Sequence, residues 1–337
     1  MPKAPTGIDL ARKLCEAHPQ APSHSLAKRL YRENVERFST YNAAYLCVRR
    51  ARGNQGDKMR KACEDKGVRR ENGKTGWKPE CPPSHSEPWV PFDLGSDIRV
   101  LSLSDIHVPY HEPKAVEAAV KFGRKWKPSV VLLNGDISDF YSISRWDRDP
   151  KKRDLIGECE QVYEMLAWLR KAFPKARMVY KLGNHEERWD HYIWNKCAEL
   201  WGLDALRLHS VLRLDELGIE MVGDKRMVMI GPHLVGLHGH ELVRGLTSPV
   251  NQARGLFMRT LTSALAGHGH TTSTHVQGNM LGKEIACWSQ GCLCDLHPLY
   301  MPINTHNHGF AAVDVDKAGD FNLMNFRISA DWKVRTA

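Results

Sequence analysis

Five short polar motifs carry the residue types that could do chemistry in this chain. Each combines carboxylate, amide or imidazole side chains with glycine or serine, and each follows an apolar, strand-like run. The motifs are Ser104-Asp105-Ile106-His107, Gly135-Asp136-Ile137-Ser138-Asp139, Gly183-Asn184-His185-Glu186, Leu237-His238-Gly239 and Gly267-His268-Gly269-His270. Because α/β sheets present their ligands at the carboxyl ends of the strands, we expect the five motifs to meet at one edge of a sheet.

The mixture of Asp, Asn and His predicts a metal centre. Neutral imidazoles together with carboxylate and amide oxygens suit borderline divalent cations. Asp105 and His107 alternate along an extended segment, so both side chains can reach one ion. Two cations about 3.5–4 Å apart repel each other, and a bridging carboxylate neutralises part of their charge. We therefore expect two divalent cations, manganese first, with iron, zinc, nickel or magnesium as the alternatives.

The five motifs, in this order, resemble those of the calcineurin-like metallophosphoesterase superfamily over roughly residues 98–315. The resemblance implies phosphoester hydrolysis in which a hydroxide shared by two metals attacks phosphorus in line with the leaving oxygen. Its ligand set, carried over by motif, is Asp105, His107 and His270 for the first metal, Asn184, His238 and His268 for the second, and Asp136 as the bridge.

The same resemblance identifies candidate catalytic residues. His185 matches the general acid that protonates the leaving oxygen, and Asp139 matches the carboxylate that orients this histidine. Glu186 occupies an often acidic position and receives no firm role. His240 and Arg188 are candidate substrate contacts. A structural or solvent-facing role is favoured for His240, and the alternative for Arg188 is that the run Arg188-Trp189-Asp190 caps the site with no specific role.

Apolar runs alternate with helical segments from residue 98 onward, which predicts an α/β domain. The resemblance makes this a sandwich of two mixed β-sheets flanked by helices. The strand-like runs are 98–103, 129–133, 177–182, 226–230, 234–237, 265–266, 310–315 and 321–328, and the main helical runs are 112–126 and 154–173.

We divide the chain into a helical module at 1–70, a Pro/Gly-rich linker or arm at 71–97, and a catalytic domain at 98–337. Within the catalytic domain, the stretch 188–232 is rich in Trp and Leu. Its helical spacing favours core packing, with a cap or substrate-recognition insert over the site as the alternative.

The positive charge of the chain is concentrated in its first 70 residues. These hold 16 Lys and Arg against 7 Asp and Glu, an excess of 9 that equals the net charge of +9 for all 337 residues. Apolar periodicity predicts three short helices, the third from after Ser39 to Gly53 and basic at its end. This pattern is compatible with a helix-turn-helix whose Arg49, Arg50 and Arg52 contact nucleic acid. A solvated helical surface is the alternative.

Other features exclude several classes of protein. No run approaches the 18 or so apolar residues of a membrane span, so we expect no membrane partner. The nine cysteines lack the paired spacing of a disulfide scaffold, which favours reduced thiols in the cytoplasm. The helical module and the tail Cys292-x-Cys294-Asp295-Leu296 look like an arrangement in phage- and prophage-encoded metallophosphoesterases, which would place the protein in the host cytoplasm.

Three functions remain open from the sequence. The first is a metal-dependent phosphodiesterase or nuclease acting on DNA, since it joins a phosphoester-cleaving centre to a basic module. The second is a phosphomonoesterase acting on phosphoproteins or nucleotides. The third is a DNA-binding or virion-associated protein with an inert fold, against which the complete ligand set argues. The sequence makes no prediction of oligomeric state.

Overall fold

The computed structural model describes residues 4–53, 81, 83–147, 149–223, 225–242, 250–298 and 301–337. The chain divides into two compact units, residues 1–87 and residues 88–337. The predicted boundary at residue 70 lies outside the described residues, as do residues 71–80 and 82 of the predicted linker at 71–97.

The first unit contains three helices: α1 (Gly7–Ala17), α2 (Ser23–Glu33) and α3 (Tyr41–Ala51). The hydroxyls of Thr6 and Thr40 cap α1 and α3 by accepting hydrogen bonds from backbone N–H groups, as expected of N-cap residues. Apolar residues at helical spacing pack between the helices, including the buried Leu26, Leu30 and Val48. The sequence prediction of three short helices is confirmed.

A seven-stranded mixed sheet forms one half of the second unit. Its strands are β2 (Ile98–Leu103), β3 (Val130–Asn134), β4 (Arg177–Lys181), β5 (Ile219–Val222), β11 (Gly309–Val315), β12 (Phe321–Ile328) and β13 (Val334–Thr336). The order is β13-β12-β11-β2-β3-β4-β5. Strands β2 to β5 run parallel to one another, whereas β11 pairs antiparallel with β2. The polar motifs that follow β2, β3 and β4 therefore come out at the same edge.

A six-stranded sheet forms the other half. Its strands are β1 (Phe92–Asp93), β6 (Val228–Met229), β7 (Val235–Leu237), β8 (Ala264–Ala266), β9 (Ser273–Gly278) and β10 (Glu284–Ser289), in the order β1-β6-β7-β8-β10-β9. Strands β7 and β8 are parallel, so the motifs at their carboxyl ends also lie side by side.

The α-helices of the second unit are α4 (Pro113–Trp126), α5 (Leu155–Ala172), α6 (Glu187–Lys196), α7 (Leu208–Val211) and α8 (Gln252–Thr260). One apolar core joins inward-facing residues of the two sheets, such as Val100, Leu132 and Leu265. A second core covers the other face of the seven-stranded sheet, where Val116 of α4 and Leu166 of α5 pack. The second unit thus folds as a sandwich of two mixed β-sheets flanked by helices, as the family resemblance implied.

Two features go beyond the sequence prediction. Residues 219–222, inside the stretch 188–232 considered as a cap, form the edge strand β5 of the seven-stranded sheet. Strands β9 and β10 form a hairpin that apolar runs did not reveal, because most residues of β9 are exposed or only half-buried. Among the described helices, none is both long enough and apolar enough to cross a membrane.

Candidate metal centre

The loops after β2 and β3 are fastened to each other at the shared sheet edge. The N–H of Asp105 donates to the carbonyl of Gly135 at 3.0 Å, and the N–H of His107 donates to the carbonyl of Asp136 at 3.0 Å. Gly183, after β4, lies against this pair so closely that a Cβ there would overlap the Asp136 side chain. Sheet topology therefore brings together the first three predicted motifs.

Five predicted ligands hold their backbones in the left-handed region: Asp105, His107, Asp136, His268 and His270, with φ between 52° and 62°. This conformation is uncommon for residues other than glycine and is strained. Strain concentrated in one group of polar side chains favours a functional centre. The left-handed backbone turns the chain shortly after each strand ends, so that the polar side chains of these loops come together.

The first group of side chains contains Asp105, His107 and His270. The Nε2 atom of His270 lies 3.1 Å from Oδ1 of Asp105, and the Nε2 atoms of His107 and His270 are 3.3 Å apart. Asp105 is fully buried, and His107 and His270 are exposed by 4% and 7%. His270 thus contacts both of the other predicted ligands of the first metal.

The second group contains Asp136, His238 and His268, and Asn184 lies between Gly183 and His185, which both contact Asp136. The Oδ2 atom of Asp136 lies 3.1 Å from Nε2 of His238, and the rings of His238 and His268 are 5.2 Å apart between centroids. The Oδ1 atom of Asn184 is buried and has no hydrogen-bond partner among the residues that the structure describes. A buried amide oxygen without a partner is costly unless it binds a ligand, and a metal ion would satisfy it.

Asp136 belongs to both groups. One potential ligand atom from each of Asp105, His107 and Asp136 lies within 4.8 Å of the others, and the same holds for Asp136, His238 and His268. The Asp136 carboxylate is 1% exposed and stands between the two sets of imidazoles. It is the one carboxylate in this position, among the described residues, that could contact two cations at once.

Hydrogen bonds fix the orientation of two of the imidazoles. Nδ1 of His107 donates to Oδ1 of Asp139 at 2.9 Å, and Nδ1 of His238 donates to the carbonyl of Asn134 at 2.9 Å. When Nδ1 carries the proton in a neutral imidazole, Nε2 keeps its lone pair for a metal. Burial, together with the neighbouring His238, lowers the pKa of His268 to about 4. Burial also lowers the pKa of His238, but the carboxylates of Asp136 and Asp105 outweigh burial and raise it to about 10, so without a cation this ring would carry the charge that compensates them.

The charge of the centre fits bound cations. Asp105, Asp136 and Asp139 are at least 93% buried, and in the described part of the chain none of their carboxylates forms an ion pair with Lys or Arg. Buried carboxylates need a compensating charge. Imidazoles alone would have to be protonated to provide it, and divalent cations provide it with neutral imidazoles.

His185 stands beside this centre, where the resemblance expects a general acid. Its Nδ1 atom donates to the Asp139 carbonyl at 2.8 Å and lies 3.1 Å from the Asp139 carboxylate. Its Nε2 atom accepts from the guanidinium of Arg188 at 2.9 Å. Burial lowers the pKa of His185, but the carboxylates of Asp136 and Asp139 outweigh burial and raise it. Asp139 also holds His107, so one carboxylate orients two imidazoles.

The other candidate substrate contacts differ in their surroundings. Nε2 of His240 lies 2.9 Å from a carboxylate oxygen of Glu187, and its ring is 5.4 Å from that of His238. In the first unit, Arg50 is exposed and Arg49 is half-buried. Arg52 instead holds the α1–α2 connection, since its guanidinium donates to Ser23 Oγ at 2.9 Å and to the carbonyl of Ala21. Contact of any of the three with nucleic acid stays a prediction.

Glu186 has a structural role that the sequence did not reveal. Its carboxylate is fully buried and accepts from the backbone N–H groups of Asp136 (2.9 Å), Ile137 (2.8 Å), Ser138 (3.0 Å) and Gly183 (2.8 Å). The hydroxyls of Ser138 and Tyr180 also donate to it. This carboxylate therefore fixes the loop that carries Asp136, and the acidic residue after Asn184-His185 was the only local signal for it.

Glu241 does the same for the loop of His238. It accepts from the N–H groups of His238 at 3.0 Å and Gly239 at 2.6 Å, and it forms a buried ion pair with Lys181 at 2.5 Å. Lys181, at the end of β4, is fully buried. Burial raises the pKa of Glu241, but Lys181 and the nearby histidines lower it to about 2. A lysine ending a buried apolar strand could have indicated such a pair.

Residues 98–290 match the family model described as calcineurin-like phosphoesterase. Two curated relatives are gene 54 proteins of mycobacteriophages. That of phage L5 is 26% identical over 253 residues, covering 70% of this chain and 98% of its own, and that of phage D29 is 26% identical over 178 residues, covering 51% and 69%.

Two solved structures are also similar. A single mutant of Vps29 from Entamoeba histolytica has a TM-score of 0.37 at 12% identity, covering 71% of this chain and 97% of its own. YfcE, a phosphoesterase from E. coli, has a TM-score of 0.35 at 14% identity, covering 70% and 96%.

Proposed function

Since the chain belongs to the calcineurin-like phosphoesterase family, and is thus a metal-dependent phosphoester hydrolase, we propose that it uses two cations to cleave phosphodiester bonds in DNA. The observation that carries the two-cation part is the position of Asp136, whose carboxylate is shared by two groups of ligand atoms. Asp105, His107 and His270 would hold one cation, and Asn184, His238 and His268 the other.

Oxygen and imidazole ligands together favour manganese, with iron, zinc, nickel and magnesium as alternatives. When bound, such cations polarise the phosphoryl oxygens and activate water for attack. The protein's own contribution begins with the buried oxygens and neutral imidazoles that hold the ions in fixed places. Glu186 and Glu241 restrain the loops that present Asp136 and His238, so little reorganisation is needed when substrate arrives.

His185 and Arg188 would have different roles near the leaving oxygen: His185 would donate a proton and Arg188 would bind a phosphate oxygen. A general acid needs a proton on Nε2 of His185, yet this atom now accepts a hydrogen bond from Arg188. The two states exclude each other, so His185 becomes an acid once Arg188 has turned to another acceptor. A phosphate oxygen is the natural acceptor, because guanidinium groups bind phosphate through charge-assisted hydrogen bonds. Asp139 keeps the imidazole in place through Nδ1.

A substrate panel with the full chain and added manganese tests the proposal. We expect a chromogenic phosphodiester and a DNA oligonucleotide to be hydrolysed faster, in kcat/KM, than the matching phosphomonoester, a phosphopeptide or a mononucleotide. Single-stranded DNA, duplex DNA and RNA are compared in parallel. A preference of many fold for the monoester would instead make the protein a phosphomonoesterase. If no ester is hydrolysed, the assignment as a phosphoester hydrolase is contradicted.

The basic first unit supports nucleic acid as the substrate, because Lys and Arg contacts to phosphates provide affinity that does not depend on sequence. We expect the double variant Arg49→Ala, Arg50→Ala to bind DNA more weakly and to lower the slope of log affinity against log salt by about 2, at roughly 0.9 per lost duplex phosphate contact. Fluorescence anisotropy at several salt concentrations measures both quantities.

The matched control is the double variant Lys13→Ala, Lys28→Ala, which removes the same charge from exposed positions on α1 and α2. We expect it to change the salt slope less. Equal slopes for the wild type and both variants would show that α3 does not contact phosphates. Deleting residues 1–70 should likewise weaken DNA binding while hydrolysis of a small chromogenic diester persists.

A further inference from the structure

A short surface segment that follows the Asp139 motif in the chain combines an exposed aromatic ring with cations that form no ion pair with the described residues. We call residues 144–147 and 149–153 the Trp146 segment. Trp146 is 67% exposed, and the guanidinium of Arg145 lies 4.9 Å from the centre of its ring. One guanidinium can cover only one face of an indole, and the high exposure leaves ring surface open to solvent. An exposed tryptophan of this kind is a candidate stacking surface.

The charge of the Trp146 segment is the second observation. Its described cations are Arg145, Lys151, Lys152 and Arg153, all exposed. None of the four forms an ion pair with any residue that the structure describes. The acidic residues within the segment are Asp147 and Asp149, and Asp149 is used in a local turn, where its carboxylate accepts from the N–H of Lys151 at 3.0 Å. The segment therefore presents an excess of free positive charge.

The third observation is how the Trp146 segment is fastened. It begins five residues after Asp139, so at roughly 3.5 Å per residue Trp146 cannot lie more than about 25 Å from Asp139 along the chain. The intervening 3-10 turn, Tyr141–Ile143, shortens this reach, and the Tyr141 N–H donates to the buried carboxylate of Glu158 at 2.9 Å. The hydroxyl of Tyr141 accepts from the N–H of Asp149 at 2.7 Å, which ties the far side of the segment back to its start.

We propose that the Trp146 segment is a binding site for single-stranded nucleic acid, in which a base stacks on Trp146 and Arg145, Lys151, Lys152 and Arg153 contact the phosphates. This inference rests on the proposed nucleic-acid substrate and assigns a place to it. The combination of an aromatic platform and a positive backbone track is how proteins bind single strands without sequence preference.

A photocrosslinking experiment locates the strand directly. The full chain is irradiated with a 5-iodouracil-containing oligonucleotide, as DNA and as RNA, without added metal, and the crosslinked peptide is identified by mass spectrometry. We expect a crosslink within the Trp146 segment. Trp146→Ala should lose this crosslink and bind the oligonucleotide about tenfold more weakly, as expected for one stacked base.

The triple variant Lys151→Ala, Lys152→Ala, Arg153→Ala should lower the salt slope by about 2, at roughly 0.7 per single-strand phosphate contact. Its control is Lys121→Ala, Arg124→Ala, Lys125→Ala, which removes the same charge from exposed positions near the carboxyl end of α4. Trp89→Ala, at another exposed tryptophan (57%), is the control for Trp146→Ala. Circular dichroism and melting temperature establish that every variant is folded.

The outcomes separate this inference from the proposed activity. Cleavage of the oligonucleotide by the wild type, with crosslinks elsewhere and unchanged affinity in both test variants, would overturn the Trp146 site and leave the nuclease standing. A crosslink at the segment and weakened binding, without cleavage of any nucleic acid, would support the site and reject the nuclease. Absence of both binding and cleavage would reject the two together.

Discussion

Replacing Asp136 with Asn should abolish metal retention and bring phosphodiester hydrolysis down to background. The Asp136 carboxylate is the only described ligand candidate shared by both groups of side chains. An amide carries no charge to offset the repulsion of two cations, and only its oxygen can bind a metal. Replacing a residue that only supports a metal ligand commonly lowers metal affinity by about 10–100-fold. Loss of a ligand that both cations share should lower it further. Metal analysis after dialysis against manganese, beside turnover of a chromogenic diester, measures both effects.

Asp314→Asn is the control for this change. Asp314 is an exposed carboxylate on β11 in the same unit, so its replacement alters charge without touching the centre. We expect its metal content and turnover to equal those of the wild type. An Asp136→Asn protein that retains two ions per chain and full activity would contradict the assignment of Asp136 as the bridge.

The candidate ligands could be named from the sequence because their signals are local. Asp105, Asp136 and Asn184 each stand directly after an apolar run, and parallel strands must end at a common edge. The residues that restrain these ligands gave a much weaker signal. Glu241 is held by Lys181, which is 60 positions away in the chain, and the choice of this partner depends on how two sheets stack. Contacts of that kind follow from tertiary packing, so periodicity and motif spacing do not contain them.

Arg52 illustrates the opposite difficulty. In the sequence it belongs to a run of arginines at the end of a helix, which favours contact with a polyanion. In the structure its guanidinium donates to Ser23 and to the carbonyl of Ala21. The sequence shows that a positive charge is present. It does not show whether the N–H groups that carry this charge already donate hydrogen bonds within the fold. The edge strand Ile219–Val222 was also missed, because its apolar pattern is weak. It is a strand because it pairs with β4, and this pairing is not visible in the sequence.

The restraint of the metal loops leads to the second large effect. Glu186 accepts hydrogen bonds on both oxygens: Oε2 takes the N–H groups of Asp136 and Gly183, and Oε1 takes those of Ile137 and Ser138. Glutamine has the same shape but presents an NH2 group in place of one oxygen. Whichever way the amide turns, at least two buried N–H donors lose their acceptor and face another donor. Each buried donor left unsatisfied costs about 1–3 kcal/mol.

Glu186→Gln should therefore destabilise the protein by about 2–5 kcal/mol, which for a unit of this size lowers the melting temperature by roughly 5–15 °C. Because the Asp136 loop loses its restraint, we also expect weaker manganese binding, with turnover partly restored by a large excess of the metal. Glu220→Gln is the matched control: Glu220 is 47% exposed and pairs with Arg177 at the surface, where an ion pair contributes about 1 kcal/mol at most. Calorimetry and manganese titration of both variants decide the matter. If Glu186→Gln melts and binds manganese as Glu220→Gln does, the carboxylate is not what holds the Asp136 loop.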